Sequence, residues 1–299
     1  MTTTVSPSAQ GPVLGEIPLR KRVEENVFRA LLFVSLAVGL GALVWLIVST
    51  LVKGWPRLDS RLWENYPSSR PERAGARSAL FGTVWVVGLT ALFTVPVGIG
   101  AAIYLEEFAD RDRWYNRLIE VNIQNLAAVP SIVFGILGLA FIVRGPIDLG
   151  PVVLAGALIL TLLVLSTVII ASREAIRAVP PSIRDGSLAL GATQMQTVGR
   201  QVLPAAIPGI ATGVILALSR AIGEAAPLLL IGALTFVQFT PEGLDSRFSV
   251  LPVQIFQWIG RPQDEFRTLA AAAIVMLLAL LLTMNAVAIL VRNRYQKRW

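Results

Sequence analysis

Five stretches of this chain contain no Asp, Glu, Lys or Arg: residues 30–52, 79–105, 121–143, 149–172 and 268–291. Each exceeds the roughly 20 apolar residues that carry a helix across a bilayer core. A sixth, 207–234, is equally apolar apart from Arg220 and Glu224. The composition agrees, with 55% of residues hydrophobic, 15% charged and a mean hydropathy of +0.67. A soluble domain carries about a quarter charged residues. The expected fold is therefore all-α, a polytopic membrane protein with six transmembrane helices.

Cysteine and histidine are both absent from the sequence. That removes disulfides, thiolate or imidazole metal sites and every His-dependent catalytic device. A P-loop needs Gly-Lys before Ser or Thr, because the lysine reaches the terminal phosphates. The lysines are Lys21, Lys53 and Lys297, and none follows a glycine. The chain is not a P-loop ATPase, so any ATP that drives its work is bound elsewhere.

Orientation follows from the basic residues. With both termini in the cytoplasm, 15 basic residues lie inside and 10 in the outer loops, with Arg220 left in the membrane. That bias obeys the positive-inside rule. It makes the net charge of +7 a matter of topology. No basic patch interleaved with stacking aromatics lies outside the spans, so nucleic acid is not an expected partner. The first apolar run is too long for a cleaved signal peptide and is read as an uncleaved first helix.

Three sections are expected. Residues 1–27, rich in Pro, Gly and Ser near the start, read as a disordered cytoplasmic tail. Residues 28–78 hold the first transmembrane helix and an outer loop, where Trp55, Trp63 and Tyr66 suit a headgroup interface. Residues 79–299 form a five-helix core. Pro96, Gly98 and Gly100 should kink the second helix, and the inner loop 106–120 reads as a short surface helix. The outer loop 235–267 includes an apolar piece, 250–258, too short to span.

The longest inner loop, 173–206, has its own punctuation. Pro180-Pro181 ends what precedes it, Ser182 can cap a helix running to Leu190, and Gly191 suits a left-handed C-terminal cap. Thr193 can cap a second helix, with Met195, Val198 and Val202 on one face, until Pro204. Ordered caps on two successive helices read as a surface on which a partner docks, rather than a slack connection.

Arg220 and Glu224, four residues apart, would share one face of a helix. Each charge near the bilayer centre costs about 2.5–3.5 kcal/mol on insertion scales, so neither should meet lipid. Arg220 offers a planar donor fork that suits an oxyanion such as phosphate. Glu224 would hold it when no anion is present. The alternative is a charged pair that ties the fifth helix to a neighbour. Pro208, Gly209, Gly213, Gly223 and Pro227 suggest that this helix is bent or broken along a pathway, or that they are the Gly and Pro common in membrane helices.

The inner loop resembles the EAA motif of ABC importer permeases: Glu-Ala-Ala, three residues, Gly, nine residues, Ile-x-Leu-Pro. In that register stand Asp185, Gly186, Ser187, Gly191, Gln201, Leu203 and Pro204. Asp185 keeps the carboxylate, while Gly186 and Ser187 replace the alanines and Gln201 the isoleucine. Tyr104-Leu-Glu-Glu-Phe108, the run 129–135 and Ser219-Arg-Ala-Ile-Gly-Glu-Ala-Ala-Pro-Leu-Leu229 resemble permeases of phosphate-specific ABC importers, and the apolar run 251–258 points to the A-type (PstA-like) subunit.

The resemblance implies a type I importer permease fold in a bacterial inner or plasma membrane. It implies a second, C-type permease, two copies of an ATP-binding subunit docked at Asp185, Gly186, Ser187, Gly191, Leu203 and Pro204, and an extracytoplasmic phosphate-binding protein. ATP and Mg would then be held by the ATPase, with no cofactor in this chain. It also gives importance to Arg220 by position. Two other classes stay open: an ion-coupled secondary anion carrier, which needs no docking loop, and a membrane enzyme, for which no serine sits beside a plausible base. Phosphate, sulfate and molybdate are not distinguished by the residues themselves.

Overall fold

The computed structural model describes residues 19–110, 112–233 and 236–295. Arg111, Lys297 and Arg298, counted above for topology, lie outside the described residues, as does most of the expected tail. Contacts divide the chain into two units, Met1–Ser49 and Thr50–Trp299. The first is occupied by helix α1, Leu19–Gly54, which ends in the second. Residues 19–27 are therefore helical rather than part of a disordered tail.

The second unit is helical: α2 (Ser60–Glu64), α3 (Arg77–Ile103), α4 (Trp114–Ala128), α5 (Ser131–Gly138), α6 (Val153–Arg177), α7 (Pro181–Ala189), α8 (Gln194–Thr197), α9 (Leu203–Ile222), α10 (Ala226–Leu230), α11 (Leu251–Ile259) and α12 (Asp264–Tyr295). Among the described residues β-pairing is limited to one bridge, Val152 with Arg247.

Among the described residues five continuous helices are long and apolar enough to cross a membrane, and the sixth candidate is a pair, Trp114–Ala128 and Ser131–Val143, bent by 105°. The cause is local. Val129 precedes Pro130 and takes an extended conformation (φ −68°, ψ 131°), because the proline ring disfavours helix in the residue before it. The charge-free run 121–143 is thus divided at Val129 between α4 and α5. The expected surface helix within 106–120 is the start of α4, which runs on into the apolar stretch.

Helix α6 is central, with 67% of its most apolar window buried. On one side it packs against α3. On the other, Gly209 and Gly213 of α9 face Ala175 and Ala171 of α6. Small residues at i and i+4 on both helices let the backbones approach closely. These two glycines therefore serve packing rather than a pathway. A second cluster joins Leu62, Ala74 and Ala76 of the outer loop to Trp258, Phe266 and Leu269, so that loop belongs with the core.

Three wide turns interrupt the long helices, at Tyr104–Phe108, Leu139–Val143 and Val198–Val202. In each an N–H reaches back five residues, as from Ala109 to the Tyr104 carbonyl at 2.8 Å. Pro204 follows the last of them, in the first turn of α9, where a missing N–H is tolerated. The helix therefore runs through Pro204 instead of ending there.

Candidate functional site

The long inner loop folds as anticipated at its turn and differs at its start. Helix α7 begins at Pro181 with Pro180 as its N-cap, and no side chain caps it. Ser182 lies inside the first turn and does not cap. Proline at the first helical position starts the helix by its fixed φ, and its own nitrogen has no proton to satisfy.

Gly191 takes φ +82°, and its N–H donates to the Leu188 carbonyl at 2.9 Å. Thr193 then forms a full capping box: its Oγ1 accepts from the Gln196 N–H at 3.3 Å, and Gln196 Oε1 accepts from the Thr193 N–H at 2.9 Å. Hydroxyls of Ser187 and Thr197, 2.9 Å apart, join α7 to the turn of α8.

The tip of this hairpin is apolar. Leu190 is 91% exposed, Met195 68% and Leu188 47%. Beside them a cavity of about 430 Å³ is lined by Ile183, Gly186, Ser187, Leu190, Gln196 and Arg200. Met195 does not share the buried face of Val198 and Val202, which are 2% and 0% exposed. Helix α8 is divided: Met195 is exposed, whereas Thr197 at its end is buried and Gln194 bonds the Glu107 carbonyl.

The expected docking residues divide into two groups. Asp185, Gly186 and Gly191 are exposed and Ser187 is half-buried on the hairpin, whereas Leu203 and Pro204 are half-buried at the base of α9. Leu203 packs against the inner cluster that contains Val202 and Ile210.

Arg220 lies in the last turn of α9 and Glu224 beyond its end. Gly223 closes the helix, its N–H donating to the Arg220 carbonyl at 3.2 Å. The pair therefore does not share a helical face. Among the described residues neither side chain forms an ion pair. Arg220 is exposed and Glu224 half-buried.

Helix α12 supplies a ruler for depth. Its uncharged run, 268–291, is centred near Ala279 and Leu280. Asn285 lies about 8 Å from that centre at 1.5 Å per residue. Ser219 Oγ contacts Asn285 Oδ1 at 2.8 Å, so Arg220 beside it sits inside a hydrocarbon core about 30 Å thick. Further along α12 Arg292 donates to Thr212 Oγ1 at 3.0 Å, a second polar tie between the same helices. An exposed guanidinium at this depth would cost about 2.5–3.5 kcal/mol against lipid on insertion scales.

Reading the sequence missed Glu107 and Arg184, which meet at 2.7 Å. Their only signal was a Glu-Glu pair at a span's end and an arginine in the loop. Among the described residues no three acidic side chains gather as a metal site.

Residues 94–297 match the family described as "Binding-protein-dependent transport system inner membrane component". The chain is 30% identical over 284 residues to the phosphate transport system permease protein PstA 1 of Mycobacterium tuberculosis (strain CDC 1551 / Oshkosh), covering 94% of this chain and 92% of that one. It is 29% identical to the phosphate transport system permease protein PstA of Haemophilus influenzae, covering 89% and 92%. Among solved structures, a bacterial alginate ABC transporter in complex with an alginate pentasaccharide-bound periplasmic protein aligns with a TM-score of 0.59 at 17% identity, covering 92% of this chain and 99% of that one. A chain of the MetNI methionine ABC transporter aligns at 0.55 and 17% identity, over 73% and 95%. Identities this low speak to the fold alone.

Proposed function

The chain belongs to the binding-protein-dependent transport system inner membrane components, and from that premise we propose that it is the A-type permease subunit of an ATP-driven importer of inorganic phosphate. As a multi-pass inner membrane permease it works beside a separate ATPase and a periplasmic binding protein. The observation that carries the reading is Arg220: a guanidinium exposed within the membrane, in a chain whose relatives over nearly all its length are named as phosphate permeases.

A phosphate leaving water for a narrow pathway loses strong hydration, and a planar guanidinium restores two charge-assisted hydrogen bonds. The exposed side of Arg220 calls for a second wall, and in this reading a C-type permease supplies it. Glu224, past the helix end, counters the guanidinium's charge as the anion leaves. Two ATPase copies sit below, one of them receiving the hairpin of Asp185, Gly186, Ser187 and Gly191. Leu203 and Pro204 carry its motion into α9. Both termini are cytoplasmic, and ATP and Mg are bound by the ATPase.

The test is uptake of labelled phosphate by membrane vesicles holding both permeases, with and without the ATPase and internal ATP. Uptake should require ATP and resist sulfate and molybdate. Uptake driven by an ion gradient without the ATPase would make the chain a secondary carrier. Competition by sulfate would change the anion but not the machine.

A further inference from the structure

Two adjacent glutamates close α3, and each gathers a different set of partners. The Glu106 carboxylate accepts from Arg177 Nε at 3.0 Å and Nη2 at 2.9 Å, and from Arg173 Nε at 3.4 Å. Arg173 also reaches Glu120 of α4 at 2.9 Å. Glu106 is 6% and Arg173 10% exposed, so this part of the cluster is a buried brace that fixes α3 to α6 across the wide turn Tyr104–Phe108.

Glu107 points elsewhere. Its carboxylate accepts from Arg184 of α7, Nη2 at 2.7 Å and Nε at 3.2 Å. The same guanidinium donates to the carbonyls of Val179 at 2.6 Å and Ile176 at 2.9 Å, at the end of α6. The Gln194 side-chain amide of α8 donates to the Glu107 carbonyl. Both helices of the docking hairpin are thereby attached to one residue at the end of α3.

We propose that Glu107 and Arg184 are positioning residues that form a non-covalent mechanical link between the docking hairpin and α3, beside the covalent connections to α6 and α9. The hairpin is joined covalently to α6 through residues 178–180 and to α9 through the wide turn Val198–Val202, and such a turn is a natural place to flex. Through Glu107 a push on α7 reaches α3 and, by the Glu106 brace, α6. The hairpin then moves α3 together with the two helices, α6 and α9, to which the chain already joins it. At 9% and 23% exposure the pair is largely desolvated, and loss of one partner leaves the other charge uncompensated.

The inference rests on the importer reading above, and the test separates the two. The full complex in proteoliposomes is compared with Glu107→Gln, Arg184→Gln and the exchange Glu107→Arg with Arg184→Glu, recording ATP hydrolysed per phosphate imported. Each single variant should raise that ratio about tenfold, in the range of coupling changes seen along packed networks, with the amount of assembled complex unchanged. The exchange should recover part of the loss. An unchanged ratio in Glu107→Gln, or a fall in uptake matched by a fall in assembled complex, overturns the link. Phosphate import without the ATPase would overturn the importer reading instead.

Discussion

The Ser219 hydroxyl stands 2.8 Å from the Asn285 carboxamide oxygen, joining α9 to α12 one residue before Arg220. Ser219 also reaches the Ile215 carbonyl of its own helix at 2.7 Å. The contact thus fixes the side of α9 from which Arg220 projects. Asn285→Leu should cost about 0.6–1.7 kcal/mol, the span measured for side-chain hydrogen bonds between membrane helices. Denaturant titration in detergent reads that loss. Uptake should fall less than in any Arg220 variant, and an unchanged midpoint would show that the tie carries no weight.

Gly191 has φ +82° with nothing within 4 Å of an added Cβ. The penalty for replacing it is therefore backbone strain, not a clash. A left-handed conformation costs a non-glycine residue about 1–2 kcal/mol, least for Asn and Asp. Gly191→Val should distort the turn between α7 and α8 and uncouple uptake while membrane insertion persists. Gly191→Asn should retain most uptake. Equal behaviour of the two variants would remove the turn from coupling, as would cysteines at Leu188 or Met195 that never cross-link to the ATPase.

Features set by local chemistry were legible in the sequence. Charge-free runs declare membrane helices whatever surrounds them, and the Gly191 turn and Thr193 box are decided within four residues. Val129-Pro130 carried its signal too, since the residue before a proline leaves the helix, but a proline alone does not give the angle at which α4 and α5 meet. The Arg220 and Glu224 pairing assumed that α9 continues past Gly223, and the helix ends at Ile222. Arg184 and Glu107, 77 residues apart, were beyond such reading, since a charge in a loop looks alike whether solvated or paired. Their partnership depends on how α3, α6 and α7 end together.

The crossing of α6 and α9 tolerates little volume. A Cβ on Gly209 would lie 2.7 Å from the Ala175 Cβ, and one on Gly213 would press on Ala171. Overpacking of a fitted contact costs about 1–3 kcal/mol. Gly213→Leu should therefore lower the thermal midpoint of the purified complex and reduce its yield. Ala171→Gly in the same chain should restore part of both. Because Gly213 is buried at this crossing, Gly213→Ala with Ala171→Gly should keep the apparent Km for phosphate near its original value. A shifted Km in that double variant would place Gly213 in the pathway after all.

Arg220 separates charge from geometry. If the guanidinium binds the anion as a fork, Arg220→Lys keeps the charge and loses the second hydrogen bond. A charge-assisted hydrogen bond contributes about 1.5–3 kcal/mol, so uptake should drop by about ten- to a hundredfold, at 1.4 kcal/mol per decade. Arg220→Gln removes the charge as well and should abolish uptake. Glu224→Gln should lower the maximal rate more than it raises the Km, because the carboxylate acts as the anion leaves. All three are compared at matched membrane levels, with ATPase docking verified by cross-linking. The informative ratio is Lys against Gln at position 220. If Lys restores full uptake, Arg220 acts as a point charge and the bidentate site is wrong. If Gln also transports normally, the residue lies outside the pathway and its exposed charge serves the contact with the second permease.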